Sequence, residues 1–228
     1  MYKQGGASTF GVLISVTSKI FPSPQLLSAD IILAAVDENQ DAFDWITYLV
    51  KQFPTFSKNG LSGYPVIFNS VDNFFDGSKT KISGLKARLV MLDTDSVPDL
   101  LSILQPPIEK VIKDPAIYWF FNVTHYPDWN SWFKENYDTT PMGHENVVAS
   151  RLLDEKSLTT DDTALKAALK EFSAGGEGNV FIVSGTGVHN AQPRGGSNAV
   201  LPAWRKAIVH ASESSFPRFR AGFVYILI

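Results

Sequence analysis

Only a few side chains in this sequence have the type and spacing to do chemistry. Four histidines, His125, His144, His189 and His210, stand apart, with no H-x-x-x-H pair and no carboxylate-rich neighbour. A metal centre needs three or four ligands at constrained spacing, so no metal site is expected. His189 differs in its place: it follows a predicted strand, in Thr186-Gly187-Val188-His189-Asn190, where loop residues often face a pocket. Cysteine is absent, which removes disulfides, thiolate zinc sites and a cysteine nucleophile together. Ser184-Gly185-Thr186-Gly187 lacks the G-x-S-x-G frame of a hydrolase nucleophile elbow. The opening run Gly5-Gly6-Ala7-Ser8-Thr9-Phe10-Gly11 has small residues whose backbone N–H groups could cradle a phosphate. Its spacing fits neither G-x-G-x-x-G nor a P-loop, and a glycine turn is the simpler account of it. Tyr118-Trp119-Phe120-Phe121 alternates faces of a strand, so one face packs a core while the other is free to line an apolar pocket.

The elements that must hold these residues follow from periodicity and punctuation. Val12 to Thr17 is β-branched and apolar and predicts a strand, ended by Phe21-Pro22-Ser23-Pro24. Ala29 to Val36 predicts a buried strand, and Phe43, Ile46, Val50 and Phe53 predict one helix. Leu61 to Asn69 and Ile82 to Leu92 predict an antiparallel pair around the turn at Asp76-Gly77. Val97 to Val111 has helical spacing with caps from Asp93 to Ser96, and Pro106-Pro107 is expected to kink or split it. Ile117 to Val123, Asn146 to Leu153 and Asn179 to Gly187 predict further strands. Thr159 to Asp162 caps a helix running to Phe172. Tyr126 to Glu145 yields no assignment. The pattern is α+β: a largely antiparallel sheet with helices on one face.

Composition bounds the function. In 228 residues, 44% are hydrophobic and 19% charged, against roughly 25% charged in soluble domains, which excludes intrinsic disorder and leaves surface for something else to cover. The net charge of −3 supplies no basic face, so no nucleic-acid partner is expected. The apolar runs Ile31 to Val36 and Phe223 to Ile228 fall far short of the ~20 residues of a membrane helix, so no membrane partner is expected and the chain reads as soluble. The start has no signal-peptide pattern, and the compartment stays open. The sequon Asn122-Val123-Thr124 is of a kind that arises by chance.

Two islands carry a family resemblance. Gly5 to Thr17 resembles the glycine turn and strand that close the first FAD-binding segment of berberine-bridge-type, FAD-linked oxidases of the PCMH type. Asn198-Ala199-Val200-Leu201-Pro202-Ala203-Trp204-Arg205-Lys206-Ala207-Ile208-Val209-His210 resembles that family's Asn-Pro-Ala-Trp-Arg block, with Leu201 where the family favours Asn. The fungal secondary-metabolism branch, including ergot-type alkaloid enzymes, is nearest in character. The resemblance implies FAD as cofactor, with Gly5, Gly6, Ala7, Ser8, Thr9, Phe10 and Gly11 as its contacts, Ala7 and Ser8 replacing glycines. It implies that residues 1–22 end a FAD-binding domain, that 23–215 form a substrate domain whose sheet covers the reactive face of the flavin ring, and that 216–228 are a divergent tail. It also implies a small organic substrate that gives a hydride to flavin, with O₂ reoxidation. Tyr118, His189 and Glu177 are the candidates for the base. Because the family's flavin-tethering region has no counterpart here, the expectation is a truncated oxidase with little turnover of its own, or one completed by a separate FAD-binding half. The alternative is a non-catalytic α+β module that binds an apolar ligand or partner on its aromatic-rich sheet face.

Overall fold

A computed structural model describes residues 12–215, apart from positions 13, 16, 39–40, 140–146, 194 and 197–199. The described elements are β1 (Leu26–Val36), α1 (Phe43–Val50), α2 (Phe53–Lys58), β2 (Leu61–Gly63), β3 (Val66–Asp72), β4 (Lys81–Leu92), α3 (Val97–Ile112), β5 (Tyr118–Tyr126), α4 (Trp129–Asn136), β6 (Val147–Asp154), α5 (Glu155–Thr159), α6 (Asp162–Phe172), β7 (Glu177–Phe181), α7 (Thr186–His189), a 3₁₀ turn (Pro202–Arg205) and β8 (Ala207–Ser215). The eight strands form one sheet in the order β5-β1-β4-β3-β7-β8-β6, with β2 also paired to β4. Every pairing is antiparallel.

Strand alternation gives the sheet two unlike faces. Leu27, Ala29, Ile31, Leu33 and Ala35 of β1 join Leu85, Ala87 and Leu89 of β4 in the main core. Against them pack Phe43, Ile46 and Val50 of α1, Phe53 and Phe56 of α2, Leu100, Leu104 and Ile108 of α3, and Leu165 and Leu169 of α6. Each such fully buried apolar side chain contributes about 1.5–3 kcal/mol. The other face carries two smaller clusters at its ends. At one end Trp132 of α4 packs on Leu26 and Val90, and at the other Phe68, Ile82 and Ala34 pack beneath Phe75 and Tyr118. Between these two ends the second face is open.

The structure redraws several sequence expectations. Val12, Ile14, Ser15 and Thr17 belong to no element, and Val12 and Ile14 are almost wholly exposed. A strand needs a ladder partner, and no described strand pairs there. The single helix expected over Phe43 to Phe53 is two, because Pro54 cannot donate inside a helix and instead starts α2. Conversely α3 runs unbroken from Val97 to Ile112 through Pro106 and Pro107, with Leu100, Leu104, Ile108 and Val111 buried on both sides of the pair. Burial of that continuous stripe outweighs the lost backbone hydrogen bonds. The strand expected over Asn179 to Gly187 ends at Phe181, and Gly185 leads into α7. Within Tyr126 to Glu145, where sequence gave no assignment, Asp128 caps α4.

Two of the helix caps make stability depend on pH. Backbone N–H groups of Ser131 and Ser157 donate to Asp128 and Asp154, and these bonds hold both carboxyls below their ordinary value of 3.8. A depressed carboxyl pKa contributes stability that is complete above the unfolded value and is lost as pH falls through the folded one. The urea midpoint is therefore expected to be flat above the ordinary carboxylate range and to fall below it. Asp154→Asn, which caps without titrating, should shrink the slope.

Candidate functional site

The open middle of the second face is an uncovered cleft of about 490 Å³. Its floor and walls come from four neighbouring strands and the link between two of them. Register places Phe120 beside Ile32, Ile32 beside Lys86 and Lys86 beside Val66 in one cross-strand row. Asp30 and Arg88 face each other in the next row. Tyr64 projects from the break between β2 and β3. That break is built into the backbone: Gly63 sits at φ 151°, where a Cβ would overlap the carbonyl oxygen of Arg88, and Pro65 has no N–H for the ladder. The Tyr64 ring therefore turns out of the sheet and meets Phe181 edge-on, with centroids 5.2 Å apart. Tyr64, in the link, is 54% exposed and Phe120, on the edge strand β5, is 48% exposed, so both rings stand open beside the cleft.

Two ion pairs cross this surface. Arg88 Nε donates to Asp30 Oδ1 at 2.6 Å, and Lys86 Nζ donates to Glu177 Oε1 at 2.7 Å. Beyond Phe181, His210 of β8 lies between Phe181 and Trp204, with ring centroids at 6.5 and 5.4 Å. The Pro-Ala-Trp-Arg block therefore contributes an aromatic ring at the far side of the same face.

The three base candidates do not meet. Glu177 starts β7 on the open face and adjoins the cleft through Lys86. Tyr118 lies in the row Tyr118–Ala34–Gly84–Phe68–Glu177, four strand spacings or about 19 Å away. Its ring is stacked on Phe75 at 5.1 Å and covers a small core. His189 does not line the cleft: at the end of α7 its Nε2 lies 2.7 Å from the Ala207 carbonyl oxygen, where it ties α7 to the start of β8. One reacting centre can use one of these groups and not all three. The glycine run Gly5 to Gly11, with Asn198 and Ala199 of the second island, lies outside the described residues. Among the described residues no three His, Asp or Glu side chains converge as metal ligands.

Comparison with known proteins places this sheet. No protein-family model matches the chain. The crystal structure of the VAO-type flavoprotein MtVAO713 from Myceliophthora thermophila superposes with a TM-score of 0.73 at 25% identity, over 87% of this chain and 36% of that one. The fold matches a VAO-type flavoprotein domain. Sequence relatives point the same way: the bifunctional decalin synthase calF of Penicillium decumbens is 26% identical over 90% of this chain and 34% of its own length. The FAD-linked oxidoreductase hmp9 of Hypomyces subiculosus is 23% identical over 89% of this chain and 33% of its own. The chain thus spans about a third of the length of the curated relatives it matches. Within this sheet, sequence reasoning missed Tyr64, Asp30, Lys86 and Arg88. The signals were present: an aromatic residue caught between Gly63 and Pro65, and lone charges of opposite sign inside otherwise apolar strands.

Proposed function

We propose that this chain is the substrate-side portion of an FAD-linked oxidoreductase of fungal secondary metabolism. It would take a hydride from a small organic substrate, with O₂ as final electron acceptor. One observation carries the proposal: the middle of the second sheet face is an open, largely apolar, aromatic-flanked cleft, on a sheet that matches a VAO-type flavoprotein. A planar ring system suits that floor of Ile32 and Val66 between Phe120 and Tyr64. FAD, when bound, supplies the two-electron acceptor that no side chain here can provide.

The chain's own residues have separate tasks in this proposal. Gly5 to Gly11 hold the cofactor through backbone groups, and a FAD-binding half, on the same or a separate polypeptide, covers the open face. Ile32, Val66 and Phe120 exclude water from the reacting carbon, and Tyr64 orients the substrate. Glu177 accepts the substrate proton, since of the three candidates it alone adjoins the cleft, held there by Lys86.

The test is simple. Purified chain mixed with FAD and freed of excess is expected to keep a visible flavin absorbance, and Gly6→Val should reduce it. Unchanged flavin retention in Gly6→Val would remove the glycine run from the site. A colourless wild-type protein would leave the fold reading intact and make this chain a substrate-domain fragment that cannot work alone.

A further inference from the structure

Every cation that lines the cleft already holds a carboxylate. Arg88 is given to Asp30 and Lys86 to Glu177, so the charges of the four groups sum to zero. An incoming anion meets cations whose charge Asp30 and Glu177 already neutralise, and an incoming cation meets carboxylates already engaged. Arg88 nonetheless keeps unused capacity. Of the five donors of a guanidinium, its Nε–H goes to Asp30, and the Nη groups have no acceptor among the described residues. The Tyr64 hydroxyl likewise makes no hydrogen bond to a described residue and stands exposed at the rim. The site therefore offers neutral recognition: donors for an uncharged oxygen, above an apolar floor between two rings. From Phe120 to Val66 the row crosses three strand spacings, about 14 Å, which accommodates a molecule of two or three fused rings.

We infer that the cleft selects uncharged, planar, fused-ring molecules bearing a hydroxyl or carbonyl oxygen, and that the Asp30–Arg88 pair enforces this by keeping each ion from binding the other's counter-charge. This deepens the proposed function by naming its substrate class and rests on the open face being the substrate face. The Asp30–Arg88 pair is thus a specificity device, and breaking it from either side should change selectivity in opposite directions.

The experiment is equilibrium dialysis of the full chain, without FAD, against naphthol, naphthoate and naphthylmethylammonium. Wild type is expected to bind naphthol about two- to fivefold more tightly than either ion. Asp30→Asn, which frees Arg88, should tighten naphthoate about two- to fivefold, and Arg88→Gln should do the same for the ammonium compound. Tyr64→Ala should weaken all three. A wild-type preference for either ion, or Asp30→Asn and Arg88→Gln leaving the order unchanged, overturns the inference. The two variants report independently, so a folding failure in one leaves the other decisive. Since no flavin is present, a colourless protein in the FAD experiment beside an intact charge order here would sink cofactor holding by this chain alone and leave the present inference standing. Retained flavin beside a wrong charge order would sink only the present inference.

Discussion

Replacing Gly84 with alanine is expected to lower stability by about 3 kcal/mol, the upper end of ordinary overpacking in a folded core. In a chain of this size that corresponds to a fall in Tm of roughly 6–12 °C. The cause is local and hard. Gly84 is paired with Ala34 on one side and Phe68 on the other. A Cβ there would overlap the Leu33 carbonyl oxygen and come within 2.5 Å of Phe68 Cζ. The Phe68 ring could swing aside at the expense of the cluster it forms with Ile82 and Ala34, but the Leu33 carbonyl belongs to the β1–β4 ladder and cannot. Urea denaturation should show a lower midpoint at unchanged slope. A Phe68→Leu background relieves the ring contact alone, so it should not restore the loss. Full restoration would show that the ring, not the backbone, is the wall.

The second large effect concerns α4. Trp132→Ala should cost about 3–5 kcal/mol locally, as large-to-small substitutions of buried aromatic residues do. Trp132 is the one buried side chain of that helix. It inserts between Leu26 and Val90, and its Nε1–H donates to Ser28 Oγ at 3.3 Å. The other rings of α4, Trp129 and Phe133, are 40% and 49% exposed and anchor little. Losing Trp132 should therefore release α4 while the sheet and its helical layer stay folded. Amide exchange across Trp129–Asn136 should rise towards that of an open chain, with Leu27 to Leu33 still protected. Loss of protection throughout β1 would mean instead that α4 is part of the global folding unit.

Much of the architecture was legible because it rests on local rules. The caps at Ser96 and Asp161, the turn at Asp76-Gly77 and the pairing of Leu61–Asn69 with Ile82–Leu92 all follow from side-chain chemistry within a few residues. The failures were those where tertiary burial overrules a local preference. Pro106 and Pro107 break helices in isolation, yet the buried Leu104, Ile108 and Val111 hold α3 to the sheet across them. Val12 and Ile14 have strand character, and both stand exposed with no described strand beside them. The flavoprotein resemblance came from two short islands, and the fold comparison supports it at the level of the sheet.

The candidate site was much less legible. Asp30 and Arg88 are 58 residues apart, and Lys86 and Glu177 are 91 apart. No periodicity links such positions, and only strand register decides that they touch. The converse holds for His189, which the chain order placed past a strand and the fold turned to the Ala207 carbonyl. Sequence by itself determined the class of fold, the absence of cysteine chemistry and the aromatic richness of one sheet face, because composition and period-two alternation are properties of neighbours along the chain. Tertiary structure alone decided which of those aromatic rings stand open, which charges cancel and which candidate base adjoins the cleft. Those are properties of strand order, and a chain of alternating residues is compatible with many orders until long-range packing selects one.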